Sequence, residues 1–478
     1  MNSAGNNRQT LLNPAELLCK RWRELINVHL PVFERDSIWR YSRLRESNEP
    51  EQGWKLHVSA TILTAGEVLK TVAPFLKKLN VFYKAPVSLH ELKKLNAGIY
   101  YDYSQIGKFL TIYPQSDEQS AELAARLDRL TPRFSAPTIP FETRYKFGSS
   151  IYYRYGAFKI NELKKADGNV VLAVRDENGV LVPDVRAAFE SPPNKVENPF
   201  PIPVGKDNAA NDSPLVRHYR IFRALSQRGK GGVYEGLDLR ESVPRRCLLK
   251  EGRKNGEVEW NGRDGFWRVR HEAAVLENLR RAGLSVPQIY STFEAENNFY
   301  LATEYVAGVN LHVFLKRKRR RLNIPQAIDF AVRLTAIIAR LHAAGWFWRD
   351  CKPANLIVTD TGELRPLDFE GACLIGEPDA VSWSSLTNES ADKRENRRRQ
   401  TSPFVDLYAL GAIIYLLFEG ELPLAANGEI PVIKRRNVPA QIKRIVSSLL
   451  DPLTSNLTAA EIERRLKSVG NGIVTRRA

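Results

Sequence analysis

The 478-residue chain is predicted to have an α+β fold made of two domains joined by a linker. Strand-like alternation and helical periodicity are interleaved between residues 54 and 158. A segment rich in Pro, Asn and Asp, without periodicity, follows at 190–213, and strands then return before a helical second half. The expected boundaries are a first domain at 1–189, a linker at 190–213 and a second domain at 214–478.

The elements of the first domain can be placed from short runs. WKLHVSATI at 54–62 and GKFLTIYP at 107–114 alternate as strands do. TAGEVLKTVAPFLKKLN at 64–80 and SDEQSAELAARLDRL at 116–130 have the spacing of amphipathic helices. The mixture predicts an α+β domain rather than a purely helical one.

The second domain is expected to begin with strands and finish in helices. The predicted strands are YRIFRALS at 219–226, GGVYEGLDL at 231–239 and RCLLKEG at 246–252. WRVRHEAAVLENLRRAG at 267–283 predicts a helix, and the chain beyond Gly420 is expected to be helical to its end.

The composition narrows the function classes. A net charge of +17 favours an anionic partner, and no aromatic–basic motif points to nucleic acid. The longest apolar run, at 407–418, is too short to cross a membrane. Four scattered cysteines and a polar N-terminus predict a reducing, cytoplasmic location.

The stretch GWFWRDCKPANLIVTDTGELRPLDFEGA, at 345–372, indicates a phosphoryl-transfer site. Such a reaction needs the phosphates held, their charge neutralised and the acceptor hydroxyl aimed. Asp350 can accept the hydroxyl proton, and Lys352 can steady the moving phosphoryl group. Asn355 and Asp368 offer oxygen ligands of the kind that Mg²⁺ prefers.

These residues resemble the protein kinase signature, and the resemblance extends over roughly 250 residues. It implies a bilobal kinase-like domain that uses ATP or GTP with Mg²⁺. Asp406 in DLYALG resembles the aspartate that braces the catalytic loop. The nucleotide-binding residues that the resemblance implies are Gly231 and Val233 of the glycine-rich loop, Lys250 and its helix partner Glu272, and the hinge residues Glu304 and Val306.

Four positions depart from the kinase pattern. Ser226 and Arg228 replace the first two loop glycines, Trp348 stands where histidine is usual, and Glu370 replaces the glycine of the metal-binding triplet. Together they argue against an ordinary regulated protein kinase, although none of them removes a catalytic group. A catalytically dead kinase fold is the alternative.

The first domain carries basic residues suited to a second reaction. A phosphorylated alcohol is a good leaving group, and its elimination needs a base, an acid and cations around the phosphate. Lys55 and His57 share one face of a predicted strand, and the apolar surroundings of Lys84 would lower its pKa. Lys108, Arg144 and Arg154 are further candidates, with solvated or structural roles as the alternative.

The runs GWKLHVSA, VFYKAP, GKFLTIYP and YYRYGAF, followed by VPDVRAAF and NPF, resemble the N-terminal lyase region of class III lanthionine synthetases. That region is similar to bacterial effector phosphothreonine lyases, so a phosphothreonine-lyase-like α+β domain is expected before the kinase-like one. The resemblance implies that Lys55 binds phosphate, that His57 is the general acid and that Lys84 is the base. The other phosphate ligands that it implies are Lys108, Arg144 and Arg154.

The predicted function is therefore a bifunctional peptide dehydratase. It would phosphorylate Ser or Thr of a precursor peptide and then eliminate phosphate to give dehydroalanine or dehydrobutyrine. The alternatives are a plain Ser/Thr protein kinase with a regulatory N-terminal domain and a non-catalytic basic scaffold. The expected partner is a peptide with a Ser/Thr-containing core, with no role for nucleic acid or membrane.

Two further expectations concern the end of the chain and its basic runs. Residues 421–478 are too few for a helical cyclase domain and hold no histidine or cysteine. We therefore expect either a truncated chain, or ring closure elsewhere by a separate cyclase, or no ring closure. KRENRRR at 393–399 is a candidate site for an acidic leader peptide, with a mobile loop as the equal alternative. KRKRRR at 316–321 is interpreted as a solvated helix end.

Overall fold

The structure is a computed structural model. It describes residues 14–32, 37–132, 134–159, 161–186, 196–201, 213–318, 322–377, 403–423, 430–451 and 457–474. Most of the predicted linker at 190–213, the end of the basic run at 316–321 and all of the run at 393–399 lie outside these residues. Two compact units are present: the first comprises Met1–Tyr234, Lys250–Trp267 and Glu294–Phe299, and the second Glu235–Leu249, Arg268–Phe293 and Tyr300–Ala478.

The predicted α+β fold class is confirmed. The helices are α1 (Pro14–His29), α2 (Ala65–Lys78), α3 (Leu89–Ala97), α4 (Asp117–Leu130), α5 (Pro214–His218), α6 (Gly265–Arg281), α7 (Leu311–Arg317), α8 (Ile324–Ala343), α9 (Phe404–Glu419), α10 (Ala440–Leu450) and α11 (Ala459–Val474). The strands up to residue 183 are β1 (Trp39–Tyr41), β2 (Gln52–Val58), β3 (Phe82–Pro86), β4 (Leu110–Tyr113), β5 (Thr143–Arg144), β6 (Ile151–Ala157), β7 (Glu162–Lys164), β8 (Val170–Arg175) and β9 (Leu181–Pro183). The later strands are β10 (Tyr219–Arg228), β11 (Gly231–Asp238), β12 (Arg245–Gly252), β13 (Ile289–Ala295), β14 (Asn298–Glu304), β15 (Val309–Asn310), β16 (Trp346–Phe347), β17 (Leu356–Val358), β18 (Leu364–Pro366) and β19 (Cys373–Leu374).

The first unit is built on a six-stranded sheet of order β1-β3-β4-β2-β6-β5. Strand alternation sends Leu56 and Val58 of β2 into a core that also contains Val68 and Leu69 of α2 and Leu123 of α4. The opposite face of the same strand carries Lys55 and His57. The sheet therefore has one apolar face covered by helices and an opposite face, here called the polar face, on which charged side chains lie beside a small cluster of Trp39, Tyr41 and Phe82.

A second sheet, of order β10-β11-β12-β14-β13, opens the later part of the chain, as the strand-then-helix pattern predicts. Helices α8 to α11 follow. Helix α9 is buried along almost its whole length, and a Cβ at Gly411 would lie 2.6 Å from Leu449 Cβ of α10. That glycine lets the two helices pack closely.

One secondary-structure prediction is wrong. The chain beyond Gly420 is not helical throughout, because residues 430–439 form an irregular segment before α10 begins at Ala440. Pro431 and Pro439 explain the difference, since proline lacks the backbone N–H that a helix interior uses. Within the described part of the chain, no helix combines the length and hydropathy needed to span a bilayer.

Candidate active sites

The polar face of the six-stranded sheet carries a row of side chains that crosses five strands. The register pairs Lys84 with Thr111, Thr111 with His57, His57 with Tyr152, and Tyr152 with Arg144. Residues directly opposite each other in antiparallel strands share a face. The fold therefore aligns three residues predicted from sequence, Lys84, His57 and Arg144, with Thr111 and Tyr152 between them.

Glu142 holds two of the predicted residues together. Its carboxylate lies 2.7 Å from His57 Nδ1 and 2.8 Å from Lys108 Nζ, and all three side chains are buried. Burial lowers the pKa of His57 to about 4, against the opposing effect of Glu142. Burial alone would raise the pKa of Glu142, but His57 and Lys108 hold it well below its usual range. His57 is therefore neutral near pH 7, donates Nδ1–H to the carboxylate and keeps Nε2 as an acceptor.

Lys55 and Arg154 form the next row of the same face. The Arg154 guanidinium is paired with Asp184, and a Cβ at Gly156 would lie 2.7 Å from Arg154 Nη1, so the glycine makes room for it. Burial, followed by the positive charge of Arg154, lowers the pKa of Lys55 well below its ordinary value. Asp184 opposes this decrease, but burial and the neighbouring cations outweigh it.

Lys84 and Arg144 lie at the two ends of the polar row. Lys84 Nζ is 4.2 Å from the centroid of the Trp39 ring, a cation–π distance. Arg144 donates from Nε to the Tyr152 hydroxyl at 2.7 Å and from Nη2 to Thr138 Oγ1 at 3.0 Å. Arg144 is thus placed on the tyrosine side of His57, away from the Lys55–Arg154 row.

Sequence reasoning missed three residues of this face. Glu142 has no distinguishing signal in the sequence; in the structure its neighbour Phe141 adopts a left-handed φ of 61° that is rare for a bulky side chain. Asp184 and Arg186 lie in the quoted run VPDVRAAF, also without an assigned role. Arg186 is close enough to depress the pKa values of Lys55 and Lys108 further, after the larger effect of their burial.

In the second unit, the loop after β16 brings two predicted residues, Lys352 and Asn355, to the Asp350 carboxylate. Lys352 Nζ lies 2.9 and 2.8 Å from its two oxygens. The Asn355 amide nitrogen donates to the backbone oxygen of Asp350 at 3.0 Å and to its carboxylate at 2.8 Å. With both amide hydrogens used, the amide oxygen of Asn355 is directed away from Asp350, as a metal ligand requires.

Trp348 attaches the triplet at 368–370, which is predicted to bind metal, to this loop. Its indole N–H donates to the backbone oxygen of Asp368 at 2.9 Å, and its ring stacks on Phe369 at 5.3 Å. Asp368 adopts a left-handed φ of 61°, a conformation that a non-glycine residue holds only where its surroundings impose it. The departure from histidine at position 348 therefore leaves the triplet anchored.

Glu370, another departure, forms a buried ion pair. Its carboxylate lies 3.2 Å from Arg268 Nη1 of α6, and both residues are 4% exposed. One helical turn further on, Glu272 accepts the backbone N–H of Phe369 at 3.0 Å. Helix α6 is thus attached to the triplet by a side-chain pair and a backbone hydrogen bond.

Asp406 of α9 does brace the catalytic loop. Buried completely, it accepts the backbone N–H groups of Trp348 and Arg349 at 2.8 and 2.7 Å. Arg349 has a φ of 67°, so these bonds hold a strained turn immediately before Asp350.

Glu272 lies on helix α6, and the other predicted nucleotide-binding residues occupy strands and the segment after them. Gly231 and Val233 begin β11, and Lys250 lies on β12. Gly231 is required by space, because a Cβ there would lie 1.8 Å from Glu251 O. Glu304 ends β14 with its carboxylate 3.1 Å from Arg365, and Val306 follows in an irregular segment. Their roles toward a nucleotide stay predictions.

Comparison with known proteins agrees with this arrangement. Residues 227–468 match the protein kinase domain, and the chain belongs to the protein kinase family. Residues 31–212 match the N-terminal domain of RamC. The pairing of these two domains confirms the resemblance to class III lanthionine synthetases.

Individual relatives cover one or both parts. The chain is 30% identical to the probable SapB synthase of Streptomyces coelicolor over 400 residues. This aligned region covers 81% of this chain and 41% of that protein. The chain is 28% identical over 222 residues to the serine/threonine-protein kinase PknA of Mycobacterium tuberculosis, 45% of this chain and 49% of the relative. Serine/threonine-protein kinase D of Synechocystis is 31% identical over 218 residues, 44% and 42% of the two chains. The chain thus spans less than half the length of each of these relatives.

Proposed function

We propose that the protein is a bifunctional peptide dehydratase. In this proposal residues 214–478 phosphorylate Ser or Thr of a precursor peptide, and residues 1–189 eliminate the phosphate to leave dehydroalanine or dehydrobutyrine. The kinase family membership supports the first step. The polar face of the six-stranded sheet supports the second.

The charge balance of that face is the observation that carries the lyase assignment. Lys55, Lys108, Arg154 and Arg186 face two buried carboxylates, Glu142 and Asp184, and the exposed carboxylate of Asp102 lies near Lys108 and Arg186, so four cations meet three anions when all are ionised. A phosphate monoester carries a charge of about −1.5 to −2 at pH 7. It would therefore neutralise the excess and restore the depressed pKa of Lys55.

In the phosphorylation step, Asp350 accepts the proton of the substrate hydroxyl and Lys352 steadies the phosphoryl group. Asn355 and Asp368 would hold Mg²⁺, because both present oxygen donors, and the metal ion would neutralise phosphate charge when bound. Gly231, Val233, Lys250 and Glu272 would serve ATP, together with the hinge backbone at Glu304 and Val306. ATP use follows from the kinase family; GTP remains the alternative nucleotide.

In the elimination step, the Lys84 amine removes the α-proton of the phosphorylated residue, the C–H electrons form the C=C bond, and the C–O bond breaks. His57, which takes up a proton from solvent at Nε2 when the phosphate binds, gives that proton to the departing phosphate oxygen. A phosphate beside His57 stabilises the imidazolium, so the pKa of His57 rises above the value of about 4 that it has without substrate. The residue therefore becomes an acid when substrate is bound. Strands β3 and β2 are separated by β4, about 10 Å in total, which leaves space for the substrate over Thr111.

The test is to incubate the whole chain with Mg²⁺, ATP and a Ser/Thr-containing peptide, and to follow peptide mass. We expect successive losses of water. A stable gain of phosphate would instead identify a plain Ser/Thr kinase with a regulatory N-terminal domain. An unchanged mass with every peptide tried, although the chain binds ATP, would contradict the proposal. A synthetic phosphopeptide without ATP tests elimination alone.

A further inference from the structure

The tip of the glycine-rich loop is packed against the RamC-type domain within the first unit. The tip is the turn Gly229–Lys230 between β10 and β11. Gly229 N donates to the oxygen of Ala97, the last residue of α3, at 3.0 Å. A Cβ on Gly229 would lie 1.6 Å from the backbone oxygen of Asn96. Only glycine therefore fits where the loop meets the end of this helix.

The end of α3 is itself firmly held. Asn96 is 4% exposed, and its side chain donates to Ala60 O at 3.1 Å and accepts from Gly107 N at 3.0 Å. Gly98, with a φ of 64°, ends the helix in the left-handed conformation that glycine adopts readily. The loop tip thus contacts a rigid part of the N-terminal domain.

Residues 253–265, here called the clamp segment, hold the other side of the turn. Arg253 N donates to Lys230 O at 2.8 Å. A Cβ at Gly256 would lie 2.3 Å from Gly229 O, and one at Gly265 would lie 1.8 Å from Lys230 O. Two more glycines are therefore needed for the segment to approach the turn so closely.

The clamp segment is tied to the N-terminal domain by side chains. Lys93 Nζ of α3 lies 2.6 Å from Glu259, whose side chain is 8% exposed. Trp260 packs against the core of the six-stranded sheet, and its ring lies 5.3 Å from that of His90. Arg253 Nη1 donates to the Tyr103 hydroxyl. The phosphate-covering loop of the kinase is thus enclosed between two elements that belong to, or are anchored on, the N-terminal domain.

The sequence of the loop is consistent with this packing, because it contains fewer glycines than a usual phosphate-covering loop. Two of its three usual glycine positions hold Ser226 and Arg228, so the loop has less intrinsic freedom to close over phosphates. We propose that Lys93, acting through Glu259 and the clamp segment, is a positioning residue for the kinase reaction: the N-terminal domain holds the loop in its phosphate-covering place. The proposal rests on the kinase part of the proposed function.

The neighbouring residue provides a matched control. Lys94 is adjacent to Lys93 on α3, but its ammonium pairs with Glu91 of the same helix at 3.2 Å. In the full chain, Lys93→Ala should raise the KM for ATP about tenfold, equivalent to about 1.4 kcal/mol, with a smaller change in kcat. Lys94→Ala should leave both constants unchanged. Lys93→Arg, which keeps the ion pair, should restore most of the lost affinity.

Gly229→Ala tests the contact directly. The added methyl group must displace the turn from α3, so we expect weaker binding of Mg·ATP by calorimetry together with a raised KM. Gly66→Ala in α2 is the matched control, because a Cβ there meets only Leu25 Cδ1 at 3.5 Å. Thermal unfolding of each variant separates loss of the fold from loss of loop position.

Two results would overturn the inference, and a third would overturn the proposed function on which it rests. An unchanged KM and unchanged Mg·ATP affinity in both Lys93→Ala and Gly229→Ala would overturn the inference. Faster phosphorylation in either variant would also overturn it, because the clamp would then restrain the loop rather than position it. If the unmodified chain neither phosphorylates a peptide nor binds Mg·ATP, the proposed kinase function itself is wrong. That outcome differs from one in which the unmodified chain is active and the variants behave like it.

Discussion

Glu370→Gln should destabilise the second unit far more than an ordinary loss of an ion pair. Glu370 and Arg268 are each 4% exposed with their charged atoms 3.2 Å apart. Removing one partner of a buried pair costs about 3–5 kcal/mol, because the other charge loses this carboxylate while it stays buried. Glutamine keeps an oxygen acceptor, so we expect a value near 3 kcal/mol, the lower end of that range.

The same helix supplies the comparison. Arg281 and Glu277 of α6 also pair at 3.2 Å, but their side chains are 72% and 59% exposed. Breaking such a surface pair costs about 0.2–1 kcal/mol. Glu277→Gln therefore measures what the same chemical change costs on this helix when the partner can be hydrated.

The assay is urea unfolding followed by tryptophan fluorescence, since Trp348 stacks on Phe369 beside the pair. The double substitution Arg268→Met with Glu370→Leu should recover much of the lost stability, because apolar residues of similar size often replace a buried pair at little cost. Phosphorylation should also slow in Glu370→Gln, since α6 carries the Glu272 carboxylate that holds Phe369 N. A destabilisation no larger than that of Glu277→Gln would refute the reasoning.

Three further predictions concern the two reactions. Asp350→Asn should abolish phosphorylation of a Ser/Thr peptide while leaving elimination from a synthetic phosphopeptide intact, because the two proposed sites use different residues; loss of both activities in a folded variant would contradict the two-site reading. Lys84→Ala should slow elimination by about 10²–10⁴-fold, as loss of a general base does, so that phosphopeptide accumulates in the mass spectrum. The control is Lys159→Ala, whose side chain is 39% exposed. A wild-type product yield from Lys84→Ala would remove this lysine from the mechanism. The pKa of His57 is about 4 in the folded chain and 6.5 when unfolded, so the stability that this residue contributes is present above pH 6.5 and is lost as the pH falls through about 4. Between these pH values, the thermal unfolding midpoint should therefore fall less steeply for His57→Asn than for the unmodified chain. An identical slope would show that His57 is not buried in its neutral form.

Strong local patterns were predictable from the sequence. The helix expected at 64–80 is observed as Ala65–Lys78, and the one expected at 116–130 as Asp117–Leu130. Both have an apolar stripe at helical spacing against the core, and Ser116 caps the second by accepting from Gln119 N. These features depend on neighbouring residues only, so a single sequence contains them.

The two buried carboxylates, Glu142 and Glu370, could not be assigned partners from the sequence, because those partners are remote in the chain. His57 and Glu142 are 85 residues apart, and Arg268 and Glu370 are 102 apart. An isolated glutamate has the same appearance in a sequence whether it lies on the surface or in a core. The motif comparison even marked Glu370 as a departure without indicating what it contacts.

Each unit contains a buried glutamate, Glu142 or Glu370, that pairs with a buried basic residue. The negative charge of the glutamate offsets the cost of burying the positive one. At the polar face, Glu142 compensates Lys108 and orients His57 Nδ1, so the imidazole presents Nε2 toward the substrate side. At the metal triplet, Glu370 compensates Arg268 and thereby holds α6, which carries Glu272. Neither glutamate is proposed to take part in a reaction. Glu142 determines the orientation of His57, and Glu370 determines the position of the helix that carries Glu272. Substituting them should therefore change the pH profile or the nucleotide step, rather than remove a proton donor or acceptor from the chemistry.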